Sequence, residues 1–360
     1  MPADPSPLVG LRCDAGGGIG LGHLQRMTAL ARALRAAGAG ACFVAPRRAW
    51  PVLAAQGVAE AGMIAADGGV TDWAQTPGLR AVVLDTLWSG NAAETATEAG
   101  TLAARGVPVA VIDSMPPDHF VAAPGLPPVD LVVTPYLGAD GFRPAPVARR
   151  WLAGADHAIL GPEYAPLRAA EPEPEPRLLI TCGGADPEGL SAEIVGHFLR
   201  HGWPEGPEGA ALGVDVVVGP LFAPHHLARL QRHAATQPAL RLQAAPRSLA
   251  PLIANAALVG GRLGLVRYEA AALRRGGVWL QPGEAYREYL AGFARAGLAE
   301  VFLAGDRDGQ GAFLARLHAL AGLVAAGPAA LATVFSPAAF EAVDARGTER
   351  VAQALLEIAS

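Results

Sequence analysis

The chain contains no lysine: all 28 of its basic residues are arginine. Schiff-base chemistry and a lysine clamp on phosphate are therefore excluded, and any cationic contact to a ligand must come from guanidinium groups. No long basic run occurs and the net charge is −5, which argues against nucleic acid or an anionic membrane surface as a partner. No apolar stretch approaches the ~20 residues needed to cross a bilayer, so membrane insertion is not expected. Cysteine is sparse: Cys13, Cys42 and Cys182 lack metal-ligand spacing and read as reduced thiols. Met1 to Pro7 is polar and proline-rich, without the pattern of a signal peptide. The expectation is a cytoplasmic protein with no resident metal or cofactor.

What is present is apolar material, 51% of 360 residues, enough for two α/β domains or one large one. The chain is organised around Arg12 to Arg26. A short apolar run, Leu8 to Leu11, feeds five glycines (Gly16, Gly17, Gly18, Gly20 and Gly22), and these open into a helical pattern. Leu24, Met27, Leu30, Ala31 and Leu34 share one face of that helix, and Gly38 marks its end. A strand, a glycine loop and a helix start present backbone N–H groups and a positive dipole end to a ligand. His23 and Arg26 lie one turn apart on the same side. The loop is neither of two familiar nucleotide motifs. Gly22 is followed by His23-Leu24 where a Walker loop needs Lys then Ser or Thr, and the glycines run G-x-G-x-G rather than G-x-G-x-x-G.

Strands are expected at 8–13, 41–45, 80–84, 108–112, 130–134 and 157–160. Ala81-Val82-Val83-Leu84-Asp85 and Val109-Ala110-Val111-Ile112-Asp113 are continuous apolar runs ending in an acid, as in strands buried on both faces of a parallel sheet. Asp14, Asp85 and Asp113 all follow strands, at the end where open α/β sheets take ligands; a helix cap or turn is the alternative role for each. Glu-Pro alternation from Glu171 to Pro176 reads as an extended charged linker. A second α/β pattern starts at Arg177 and repeats the opening design: a strand at 178–182, a turn Gly183-Gly184-Ala185-Asp186-Pro187, then a helix. Asp186 reads as that helix's N-cap. Further strands are expected at 214–218, 240–243, 257–259, 278–280 and 300–303. The expected organisation is a Rossmann-like domain over 1–160, a linker over 161–176, a second Rossmann-like domain over 177–340 and a C-terminal helix within 341–360. Such domains bind ligands in the cleft between them. His225 and His226 are adjacent and point to different faces; with His233 they read as surface rather than as metal ligands.

Four segments together resemble the PseG/SpsG-type nucleotide-sugar hydrolases. Arg12-x-Asp14-Ala15-x-x-x-Ile19-Gly20-x-Gly22-His23-x-x-Arg26 resembles the family's opening motif, and Leu160-Gly161-Pro162-x-Tyr164-Ala165-x-Leu167-Arg168 its interdomain segment. Thr181-Cys182-Gly183-Gly184-Ala185-Asp186-Pro187 is similar to its second glycine loop, and Asp344-x-x-Gly347-x-x-Arg350 to its closing motif. The resemblance implies a GT-B fold akin to MurG-type glycosyltransferases. It also implies metal-independent hydrolysis of a UDP-linked 2,4-diacetamido-2,4,6-trideoxy sugar to UDP and free sugar. That step belongs to pseudaminic acid biosynthesis, so partners in flagellin or surface-glycan modification are implied. His23 is the implied base, with Asp14 or Asp85 to orient it, and Arg12, Gly20, Gly22 and Arg26 around the sugar. Water attacks an anomeric carbon while a diphosphate leaves, which calls for a base that titrates near neutrality and for anion stabilisers. Gly183, Gly184, Asp186 and the residues from Gly264 are implied to hold the diphosphate, and Glu269 the ribose.

The chain departs from the pattern in its second half. Where GT-B proteins carry G-G-[ST]-[ST]-x-x-E, it reads Gly261-Arg262-Leu263-Gly264-Leu265-Val266-Arg267-Tyr268-Glu269: the glutamate stays and the hydroxyls are gone. Arg262 or Arg267 is the substitute expected at the phosphate, since a guanidinium suits that role, and Tyr268 is expected in the same binding segment. Gln281 to Tyr286 replaces the expected Asn-Gln segment, and Leu87 replaces a tyrosine. A GT-B glycosyltransferase, or a sugar-nucleotide-binding protein without turnover, are the alternatives these departures leave open.

Overall fold

The computed structural model describes residues 6–14, 21–86, 92–113, 127–139, 148–281, 283 and 287–360. The chain divides into two units, one of Met1–Pro162 with Ala345–Ser360 and one of Glu163–Asp344.

In the first unit seven parallel strands run β1 (Leu8–Cys13), β2 (Gly40–Ala45), β3 (Met63–Ala65), β4 (Leu79–Asp85), β5 (Val109–Ile112), β6 (Val129–Thr134) and β7 (Ala148–Ala153), in the order β3-β2-β1-β4-β5-β6-β7. The order reverses between β1 and β4, with Cys13 opposite Asp85. Successive residues of β4 go to opposite cores: Val83 packs with Leu24, Met27, Leu30 and Leu34, while Val82 and Leu84 pack with Leu102, Val111 and Val132. That is why the strand reads as an unbroken apolar run.

Two strands differ from expectation. Residues 155–157 form a 3₁₀ turn, and the seventh strand lies earlier, at Ala148–Ala153. Arg149 and Arg150 are exposed on this edge strand and interrupt its apolar signal, whereas Ala158, Ile159 and Leu160 are buried outside the sheet. Met63–Ala65 is an edge strand too short to show a period. The closing helix, Gly347–Ala359, belongs to this unit: Val351 and Leu355 share a core with Leu24 and Leu30. The Thr348 hydroxyl accepts from Leu160 N at 2.8 Å and donates to Leu160 O at 2.7 Å. A Cβ on Gly347 would stand 2.3 Å from Ala158 O, so only glycine allows that approach.

In the second unit six parallel strands run β8 (Glu175–Thr181), β9 (Gly213–Val218), β10 (Leu240–Ala244), β11 (Ala256–Arg262), β12 (Gly276–Gln281) and β13 (Ala299–Leu303), ordered β10-β9-β8-β11-β12-β13. Here the order reverses between β8 and β11. The expected linker over 161–176 is largely replaced by structure: Tyr164–Ala170 is helical and β8 already starts at Glu175. Tyr164 and Arg168, one turn apart, are both buried, so a buried contact face precedes the Glu-Pro alternation. No helix among the described residues is long and apolar enough to cross a membrane.

Candidate functional site

The carboxyl ends of β1 and β4 carry the first group of candidate residues. The helix Gly22–Ala36 begins directly after the glycine loop, so His23 and Arg26 lie in its first two turns, both buried. Gly22 is its first residue, and Gly20 lies outside the described residues. Arg26 forms a two-pronged pair with Asp85: Nη2 donates to Oδ1 at 2.8 Å and to Oδ2 at 3.1 Å. The same Nη2 stands 3.5 Å from His23 Nδ1. Asp85 is thus one step further out than expected: it holds Arg26, and Arg26 stands at the imidazole. Burial pushes the Asp85 carboxyl above the usual range, while the Arg26 guanidinium pulls the other way.

Asp14 meets Arg48 in an ion pair, and Arg12 is held by the helix Ala92–Ala104 through Glu98 at 2.9 Å and Glu94 at 3.6 Å. Burial raises the Glu98 carboxyl, opposed by Arg12. A cavity of about 310 Å³ opens here, lined by Arg12, Asp14, Arg48, Asp67, Thr86 and Glu94. Sequence reasoning missed Arg48, Glu94 and Glu98. The i, i+4 spacing of the two glutamates on one helix was the available signal; nothing local marked Arg48.

The second group gathers at the carboxyl ends of β8 and β11. The N-cap of the helix Leu190–His201 is Gly189 rather than Asp186; Asp186, buried at φ 42° three residues earlier, reaches the helix start with its carboxylate and accepts from Leu190 N at 2.8 Å and Ser191 N at 3.0 Å. Two of that helix's first N–H groups are therefore satisfied from within. Gly183 has φ 80°, and Gly184 O accepts from Leu221 N at 2.9 Å. Gly261, at φ 139°, brings β11 so close to β8 that a Cβ would lie 2.1 Å from Thr181 O. Gly261→Ala is expected to destabilise this unit by roughly 2–3 kcal/mol, combining a strained φ with backbone overlap. Urea unfolding of wild type and variant measures it, and an unchanged midpoint would count against this packing.

In the third loop, Arg262 pairs with Glu188. Arg267 donates to Gly264 O at 2.6 Å and lies 4.6 Å over the Tyr268 ring, which meets Phe293 edge-on. Tyr268 is buried, as is Val266, one of the two residues standing where hydroxyls were expected. Glu269 accepts a hydrogen bond from Tyr164 Oη at 2.8 Å. The interdomain motif and the third loop, quoted separately from the sequence, thus meet within one unit. Arg168 adds bonds to Ala272 O and Glu341.

Burial raises the Glu269 carboxyl from 4.5 to about 7, with the Tyr164 hydroxyl opposing the shift and Glu163 adding to it. Because the folded value lies above the unfolded one, the native state holds this proton more tightly. The resulting stability is complete below about pH 4.5 and is lost as pH rises through about 7. Glu269→Gln is expected to gain about 2.5 kcal/mol relative to wild type on going from pH 5 to pH 8. Urea unfolding of both proteins at the two pH values measures the difference, and a difference independent of pH would contradict the burial argument.

The three thiols are free and buried, and burial raises Cys13, Cys42 and Cys182 alike, so none is a nucleophile at neutral pH. His225 is exposed, while His226 and His233 are half-buried.

No family model matches the chain, and no curated relative matches it. Solved structures do. MurG of Acinetobacter baumannii superposes with a TM-score of 0.62 at 13% identity, covering 98% of this chain and 100% of that one. Staphylococcus aureus MnaA, solved with UDP, gives 0.54 at 12% identity over 93% and 94% of the two chains. The Neisseria meningitidis UDP-GlcNAc 2-epimerase, solved with UDP-GlcNAc, gives 0.52 at 8% identity over 98% and 100%. Two parallel-sheet α/β units with these neighbours give the chain the GT-B fold.

Proposed function

We propose that this protein is an enzyme acting on a UDP-linked sugar, and that it hydrolyses a UDP-2,4-diacetamido-2,4,6-trideoxy sugar to UDP and the free sugar. The observation that carries this reading is the buried chain Asp85–Arg26–His23 at the glycine-loop end of β1 and β4. In this reading His23 takes a proton from the attacking water, and Arg26, locked by Asp85, holds the ring in place. The polar cavity beside Arg12 and Asp14 suits a ring bearing hydroxyl and amide groups, since it offers donors and acceptors of both kinds. The glycine loop at 183–184 and Glu269 take the nucleotide in the second unit. The solved neighbours bound to UDP or UDP-GlcNAc lend support at the level of fold.

One observation favours a second reading, a sugar-nucleotide-binding protein without turnover: Leu265 and the buried Val266 stand at the two positions where Ser or Thr hydroxyls were expected. Incubation with a panel of UDP-sugars, in chelator and without an acceptor, separates the readings. Release of UDP with an equal amount of free sugar is the expected result. Release only when an acceptor is added indicates a glycosyltransferase, and calorimetric binding without release indicates the second reading.

A further inference from the structure

The helices Leu190–His201 and Pro224–Thr236 pack side by side in the second unit, and three nitrogens converge where they meet. A Cβ on Gly196 would lie 3.2 Å from Arg200 Nη1, 3.6 Å from Arg229 Nη2 and 3.9 Å from His233 Nε2. Two guanidinium groups and an imidazole thus crowd within 4 Å of one point. One carboxylate faces them: Glu193 accepts from Arg229 Nη1 at 2.7 Å. Arg200 has no carboxylate partner among the described residues, and His233 Nε2 is buried with no hydrogen-bond partner. Glycine inside a helix costs about 1 kcal/mol relative to alanine; at position 196 it is what lets the three nitrogens come this close to the helix backbone.

We propose that Arg200, Arg229 and His233, gathered above Gly196, form a binding site for a tetrahedral oxyanion of the phosphate class. Two guanidinium charges share one carboxylate here, so a second anion lowers their mutual repulsion. A guanidinium offers paired donors that match phosphate oxygens, and such an anion also gives the orphaned Nε2 a partner. The site lies midway along both helices, away from the strand-end loops proposed to hold the nucleotide, so it is a second site independent of that reading. Burial, with Arg229, Arg232 and Arg200 nearby, holds the His233 imidazole below its ordinary range, and Glu193 opposes them. A bound anion reverses part of that balance and raises the value.

The test uses the full chain and inorganic phosphate, titrated at constant ionic strength against chloride, with saturating UDP present to block a nucleotide site. Phosphate is expected to raise the thermal midpoint and to move the His233 ring titration upward in long-range ¹H–¹⁵N spectra. Arg200→Gln and Arg229→Gln are each expected to weaken phosphate binding at least tenfold. Gly196→Ala should raise the midpoint without ligand yet abolish the response to phosphate, a pair of signs that misfolding cannot produce. The proposal is overturned if chloride at matched ionic strength gives the same shift. It is equally overturned if the variants respond to phosphate as wild type does, or if His233 does not move. A failure of UDP-sugar hydrolysis leaves these readouts intact.

Discussion

His23→Ala is expected to lower UDP release by a factor of about 10²–10⁴, the range that a positioned general base contributes. The side chain stands in the first turn of the helix Gly22–Ala36, next to the glycine loop, and it is buried against Arg26. Truncation removes the only ring nitrogens at that position while leaving the helix backbone, since alanine is the best helix former. The loss should therefore fall on kcat, with binding of UDP unchanged by calorimetry and the circular dichroism spectrum preserved. UDP release that persists in the variant would remove His23 from the mechanism. A parallel loss of folding would show that the imidazole serves packing instead.

Asp85→Ala is expected to cost about 3–5 kcal/mol of stability, the usual cost of stranding one member of a buried ion pair. Asp85 is 1% exposed and Arg26 8%. With the carboxylate gone, the guanidinium keeps its charge, because arginine does not deprotonate in proteins. Arg26→Met should cost less, because the abandoned carboxyl, already raised by burial, can take up a proton. The double variant Asp85→Ala/Arg26→Met should recover part of the stability and none of the activity. Urea unfolding of the four proteins closes the cycle. Additive single effects would mean that the pair is not coupled, and an active double variant would mean that Arg26 does not position His23.

The parallel sheets were legible because each strand is short, apolar and flanked by turn residues, and because Val82, Val83 and Leu84 need burial on both faces. The edge strands were not. Met63–Ala65 is too brief to show a period, and Ala148–Ala153 carries two exposed arginines that hide it. Tyr164 and Arg168 stood in plain view within a motif, yet their spacing says only that they share a helix face. Their partners, Glu269 and Ala272 O, lie more than a hundred residues away.

By itself the sequence determined the fold class, the two glycine turns and the placing of His23 at a helix start, because these depend on local periodicity and on backbone freedom at glycine. The tertiary structure alone decided the charge partners. Arg26 holds Asp85, Arg48 holds Asp14, Glu98 holds Arg12, and the closing helix returns to the first unit. A guanidinium can reach any carboxylate that the chain brings within a few ångströms, and no local pattern records which one that is. The lack of lysine narrowed the choice of cation to arginine everywhere; only the packing of helices on sheets settled where each guanidinium points.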